Sequence, residues 1–343
     1  MKKLLTVFLA LAMALSMASC GSDSNPGSSS KPAGTDNKGG GTSADYNKQL
    51  VIGSSNAGGT YYTIGAGWTT LMNDKLGTNI SCEVTAGPAT NIPQVESGDL
   101  DFGMVTSWLQ GEAFNGVGTF SNGAMTEGRA LFPTHVSYLH MVALEDSTIN
   151  TVSDLSGKAV ALGTAGATSD VAGQAVMDTL GVAPKAISNL SSSDQLSALK
   201  DGTVDAIMIV GGTPSSNLLN LETTNAFKYI TFTEDDLSKL LDAYPFWATD
   251  VIDGGTYECE PDDFTTIAFW NYVVADKDLS EDLVYNLTKT TFENLDYLLN
   301  VDIAAADIST DNLNAIVTPL HPGAYKYYTE IGVDIPDNIK PVN

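Results

Sequence analysis

The chain has 343 residues and a formal charge of −25, from 41 acidic and 16 basic side chains. A surface this acidic excludes nucleic acid and charge-driven adsorption to anionic lipid, and an anionic ligand must be held locally against a repulsive field. Its three histidines (His135, His140, His321) and three cysteines (Cys20, Cys82, Cys259) show no metal-ligand spacing, so no metal is expected.

Lys2 and Lys3 precede the apolar run Leu4 to Met17, which is too short to span a bilayer comfortably and reads, over residues 1–19, as a secretory signal. Met17-Ala18-Ser19-Cys20 resembles a bacterial lipoprotein box, in which Cys20 is lipidated and becomes the first residue. Residues 20–46 are rich in Gly, Ser, Asn and Asp with hardly an apolar side chain, the composition of a flexible tether. An extracytoplasmic body held at the membrane by a lipid anchor is therefore expected. No later apolar run reaches transmembrane length. Cys82 and Cys259 suit a disulfide only if the fold brings them together.

The body alternates strands and helices. A strand at 50–54 runs into Gly58-Gly59-Thr60-Tyr61-Tyr62-Thr63-Ile64-Gly65 and a helix that ends near Lys75, with Ile64, Trp68, Leu71 and Met72 on one face. A glycine turn opening a helix presents backbone N–H groups to an anion, and the tyrosines add hydroxyl donors; alternatively the glycines only turn the chain and the tyrosines pack. A strand at 80–85 leads through Thr85-Ala86-Gly87-Pro88-Ala89-Thr90-Asn91 into a short helix stopped by Gly98, and a strand follows at 100–106. A helical or loop segment with Trp108 and Phe114 breaks up in the Gly- and Asn-rich run 115–128, before a longer strand at 136–144.

A similar order then recurs. Strand 158–163 leads to the loop Thr164-Ala165-Gly166-Ala167-Thr168-Ser169 and a helix from about Asp170 closed by Gly181. Ser191 to Ser193 offer a cap for a helix at 194–200, and a strand at 204–210 runs into Gly211-Gly212-Thr213-Pro214. Two α/β units thus place four loops, 58–62, 85–91, 163–169 and 211–214, at strand carboxyl ends, where open sheets bind ligands. If the units face one another, the loops meet in a cleft. A strand at 267–275 can return the chain to the first unit, giving lobe 1 at 47–140, lobe 2 at 141–268 and a return segment with C-terminal helices at 269–343.

Catalytic signatures are missing: there is no Gly-x-Ser-x-Gly elbow, no Walker loop and no His-Glu-x-x-His. Neither catalysis nor a cofactor is expected. The single arginine, Arg129, is the one candidate for a bidentate carboxylate clamp. Otherwise helix ends, Tyr61, Tyr62 and Ser/Thr hydroxyls must hold an acid.

Gly58-Gly59-Thr60-Tyr61-Tyr62-x-Ile64-Gly65 is similar to the opening motif of the TAXI family, the solute receptors of one branch of TRAP transporters. Asp205-Ala206-x-x-x-Val210-x-Gly212-x-Pro214 resembles its second-lobe signature, and Pro319-Leu320-His321-Pro322-Gly323-Ala324-x-x-Tyr327-Tyr328 its C-terminal one. The resemblance implies a two-lobed periplasmic-binding-protein fold of type II-like plan, closing on a small organic acid or amino acid of glutamate or dicarboxylate type and delivering it to TRAP membrane permease subunits. An ABC-type import receptor or a ligand sensor of the same fold is the alternative. Carried over residue by residue, it implies ligand contact at Gly59, Thr60, Tyr61, Tyr62, Gly87, Asn91, Ser107, Trp108, Thr164, Ala167, Thr168, Ser169 and Gly212. The chain departs from the family pattern at Thr63, Ala86 and Pro88, and also at Thr106 and Trp108, where the family tends to place Gln and Asp. The loss of an aspartate at Trp108 points to a different or more apolar solute.

Overall fold

The structure, a computed structural model, describes residues 45–342. The predicted signal segment, the lipidation candidate Cys20 and all but the last two tether residues lie outside the described residues. Tyr46 already belongs to the folded body, since its hydroxyl accepts a hydrogen bond from Asn286 Nδ2 at 2.8 Å.

The first half begins with β1 (Gln49–Gly53), α1 (Thr60–Leu76), β2 (Asn79–Glu83), α2 (Pro88–Ser97), β3 (Phe102–Thr106) and α3 (Ser107–Asn115). Ile64, Trp68, Leu71 and Met72 of α1 are buried, as the apolar spacing predicts. Trp68 stands edge-on to Phe102 and donates its indole N–H to Thr291 Oγ1 at 2.9 Å, so its one polar atom is satisfied inside the core. Gly77 and Gly98 end α1 and α2 at φ 69° and 76°, a left-handed backbone that other residues adopt only with strain.

β4 spans Gly128–Leu144 and is twice as long as the sequence pattern indicates. The second half adds β5 (Ala159–Leu162), α4 (Thr168–Leu180), β6 (Ala186–Asn189), α5 (Ser192–Lys200) and β7 (Ala206–Gly211). Then follow α6 (Ser216–Glu222), β8 (Phe227–Tyr229), α7 (Glu234–Ala243), β9 (Ala248–Ile252) and β10 (Phe264–Asp276), and α8 (Glu281–Phe292), α9 (Leu295–Val301) and α10 (Pro322–Glu330) finish the body.

The two α/β units share one sheet, ordered β2-β1-β3-β10-β4-β7-β5-β6, with β8 on β4 and β9 on β10. The flanks are parallel, as strand–helix–strand units require. The centre is antiparallel, because β4 and β10 are the two strands that cross between halves. Over residues 128–138 β4 pairs with β10, and over 138–142 with β7. β10 pairs with β3 through 271–275 and with β9 through 264–268. Their ladder slips between Trp270 and Tyr272, leaving Asn271 without a register partner on β4. A bulge of this kind bends a strand and re-aims a side chain.

Cys82 and Cys259 are free thiols, packed against different apolar clusters. Among the described residues, no helix is long and apolar enough to cross a membrane.

Candidate functional site

A cavity of about 70 Å³ lies where the two halves meet. Its walls come from the loop after β1 and the start of α1 (Ser55, Asn56, Gly59, Thr60, Tyr61), the start of α2 (Ala86, Gly87, Pro88), and the loop into α4 (Gly163, Ala167, Thr168, Ser169). The crossing strand adds His135 and Ser137, and Ser192, Val210 and Gly211 complete the wall. A second cavity of about 330 Å³ shares Gly59, Thr60, Ser192, Val210 and Gly211 with the first and extends along Gly212 to Asn217 and Val301 to Ala304.

Four helices begin at the first cavity: α1, α2, α4 and, through Ser192, α5. α1, α2 and α4 are preceded by Gly59, Gly87 and Ala167, and none of the three N-termini carries a side-chain cap. The α5 start is capped by Ser191, as α3, α7, α8 and α10 are by Thr106, Thr233, Ser280 and His321, while α6 and α9 also lack a side-chain cap. The first turn of a helix leaves N–H groups without intrahelical acceptors and carries about half a positive charge. Glycine and alanine at the three cleft caps leave those groups for a ligand. No Asp, Glu, Lys or Arg lines this cavity, although Asp170, in the first turn of α4, sets a carboxylate just behind that helix end.

Buried polar side chains hold the N-termini of α2 and α4. Asn91 of α2 is fully buried, its amide donating to the carbonyls of Gly53, Ser54 and Met104 at 3.1, 2.8 and 2.9 Å and its oxygen accepting from Thr85 at 2.7 Å. A Cβ at Gly53 would lie 2.6 Å from that oxygen, so only glycine admits this anchor. Asp170 fixes the loop into α4 by accepting from Gly166 N at 2.9 Å and from Asn189 Nδ2 at 2.7 Å. At Gly163 an added Cβ would stand 2.0 Å from Ser169 Oγ.

The halves touch across the cavity. Asn56 Nδ2 donates to Thr164 Oγ1 at 3.0 Å, and Gly212 N donates to Thr60 Oγ1 at 3.4 Å. Beneath the cavity, Tyr61 donates its hydroxyl to Asn271 Oδ1. Asn271 Nδ2 faces Ser137 Oγ at 2.9 Å and the carbonyls of His135 and Phe269 at 2.8 and 3.1 Å. Ser137 Oγ lies 3.1 Å from His135 Nε2, while His135 Nδ1 has no protein partner. The ring is fully buried, and burial lowers its pKa to about 3, so it is neutral at physiological pH. Burial likewise holds the Tyr61 phenol well above its ordinary pKa.

Of the residues expected to contact ligand, Gly59, Thr60, Tyr61, Gly87, Ala167, Thr168 and Ser169 line the first cavity, and Gly212 lines the second. Thr164 sits at the rim, bonded to Asn56. The remaining four lie elsewhere, each for a visible reason. Asn91 spends its amide on the backbone of β1 and β3. Ser107 donates into the body, with Ala315 O at 2.6 Å and Trp270 O at 3.1 Å. Trp108 is core, stacked on Phe269 and edge-on to Trp247 and Tyr244, with its indole N–H on Glu112 at 2.6 Å. Tyr62, one position further along α1, lines neither cavity. Arg129 is also remote, its guanidinium donating to the carbonyls of Thr126 and Gly128.

Sequence reading missed His135, Ser137 and Asn271, which come from two crossing strands, Asn271 lying 136 and 134 positions from the other two; only the polar interruptions in otherwise apolar strands hint at them. Among the described residues, no group of three or more His, Cys, Asp or Glu side chains is placed to hold a metal ion.

Several solved structures are similar to this chain. MatC from Rhodopseudomonas palustris, solved with bound malate, matches at TM-score 0.51 and 15% identity over 74% of this chain and 87% of its own. The arginine-, lysine-, histidine-binding protein ArtJ from Geobacillus stearothermophilus matches at TM-score 0.48 and 11% identity, over 77% of this chain and 98% of its own. A TctC solute-binding protein from Polaromonas matches at 0.46 and 16%, over 74% and 86%. The architecture is thus the mixed α/β fold of periplasmic solute-binding proteins. The sequence model of the NMT1-like family matches residues 52–332, most of the chain, and the chain belongs to the NMT1-like family.

Proposed function

We propose that this protein is an extracytoplasmic receptor for a small organic acid, without catalytic activity, that delivers its solute to a TRAP-type secondary transporter. The observation that carries this reading is the meeting of three uncapped helix N-termini, from both halves of the fold, at a cavity with no charged side chain. Such an array favours a carboxylate, each helix end contributing about 0.3–1 kcal/mol and more when partly buried. Contacts from both halves make closure and binding one event. The small cavity suits the acid group, and the adjoining space beyond Thr60 and Gly211 suits the rest of the solute. MatC, which shares the fold, was solved with malate. The motifs at Gly58 to Gly65 and Asp205 to Pro214, which resemble those of TAXI receptors, fall at these two cavities, and they support the TRAP assignment. Lipidation at Cys20 would hold the receptor near its permease.

Two measurements test the proposal. A ligand that binds only the native state raises the melting temperature, so L-malate, succinate, 2-oxoglutarate, pyruvate or L-glutamate should stabilise the protein; no shift with any of them refutes the receptor reading for small acids. Labelled palmitate should enter the wild-type protein in cells and not the Cys20→Ser variant, and equal labelling removes the anchor from the proposal.

A further inference from the structure

The chain of groups under the cavity leaves little freedom in where its protons sit. Asn271 Nδ2 is identified by the two carbonyls it faces, His135 O and Phe269 O, so Oδ1 is the atom turned to Tyr61. Tyr61 therefore donates to Asn271, and Asn271 donates to Ser137 Oγ. The Ser137 proton then has one remaining neighbour, His135 Nε2 at 3.1 Å. If Ser137 donates there, Nε2 is the acceptor nitrogen and the proton of the neutral ring is on Nδ1. The opposite tautomer strands a buried serine proton and leaves Nδ1 a bare acceptor, two unsatisfied groups in place of one. Nδ1 is the atom without a protein partner, on a fully buried ring that lines the cavity.

We propose that His135 is a selectivity residue of this cavity, held as the Nδ1–H tautomer by Ser137 and Asn271 so that it donates a hydrogen bond to an acceptor oxygen of a small carboxylic acid. The inference rests on the receptor reading and sharpens it. A neutral donor adds direction without adding charge, while the helix N-termini balance the carboxylate. An ammonium group at this position would face the Nδ1–H and the uncapped starts of α1, α2 and α4, so the acid end of the solute belongs here. Ser137 and Asn271 are positioning residues that act through the imidazole.

The test uses the full chain labelled with ¹⁵N-histidine. Long-range ¹H–¹⁵N spectra of the unliganded protein, with His135 assigned by its loss in His135→Phe, should show a protonated Nδ1 and an unprotonated Nε2. In Ser137→Ala that preference should disappear. A protonated Nε2 in the wild type overturns the proposal without any ligand. Titration of the same five acids by calorimetry supplies the second arm: His135→Phe should bind the best of them about tenfold more weakly, the worth of a hydrogen bond to a charged group. His135→Asn, whose amide N–H falls near the Nδ1 position, should recover most of the loss. Equal affinity of wild type and His135→Phe overturns the proposal alone. If none of the acids binds the wild type, the receptor reading falls with it. Should His135→Phe fail to fold, Ser137→Ala and His135→Asn carry both arms.

Discussion

Acidification offers a quantitative test of the packing, because three histidines are buried without a charged partner. Burial lowers the pKa of His135 to about 3, and those of His140 and His321 to about 4. His140 stacks on Tyr229 inside the second half, and His321 caps α10, accepting from Gly323 N at 3.1 Å and facing Leu279 O through Nε2 at 3.1 Å. In the unfolded chain each ring titrates near 6.5. Between that value and the folded one the unfolded state binds more protons, so stability falls as pH falls. From pH 7 to pH 5 the loss is about 2 kcal/mol per ring, or about 6 kcal/mol for the three. That is comparable with the whole stability of an ordinary domain, about 5–15 kcal/mol. The carboxyls of Glu260, Asp302 and Asp307, raised by burial, act in the opposite sense. A group with a raised folded pKa adds stability as pH falls towards the ordinary carboxylate range, so these three trim the loss near pH 5. Urea unfolding followed by tryptophan fluorescence at pH 7 and pH 5 should therefore differ by several kcal/mol, and His140→Phe should reduce the difference by about 2 kcal/mol. A difference below about 1 kcal/mol in the wild type would refute the argument that these rings are dry and neutral.

Three substitutions probe other parts of the account. Asn91→Ala removes the amide that meets the Gly53, Ser54 and Met104 carbonyls, while Thr85 keeps its bond to the Ser54 carbonyl; chemical denaturation should show a loss of about 2–3 kcal/mol. Trp108→Ala empties the centre of an aromatic cluster and leaves Glu112 without its indole partner, so it should cost about 3–5 kcal/mol of stability; an unchanged stability with lost binding would return Trp108 to the ligand. Asn56→Ala removes a bond between the halves, and the affinity measured by calorimetry should drop about two- to tenfold with little change in the unliganded melting temperature.

Much of the fold was legible because it rests on local chemistry. The glycines at 77, 98 and 181 end helices through positive φ, and the apolar face of α1 follows from spacing alone. The length of β4 was hidden by Pro133 and by the glycine-rich run before it, since no periodic signal survives there. The short elements β8, α6 and β9 have too few residues to show a period. In the site, residues supplied by helix starts could be read from the turn chemistry of Gly58 to Tyr61 and Gly163 to Ser169. Those supplied by crossing strands could not. His135, Ser137 and Asn271 meet only because β4 and β10 run side by side with a bulge at Asn271. Trp108 shows the converse: its position after a strand end matches a cleft-facing loop, but α3 begins at Ser107 and turns the indole into the core.

The central claim, that this is a receptor for a small acid, is tested most directly by native mass spectrometry of the protein as purified. The protein should appear as a complex heavier than the chain by the mass of one small carboxylic acid, with the added mass lost on denaturation and restored by adding that acid back. A spectrum of the bare chain that none of the five acids changes would contradict it.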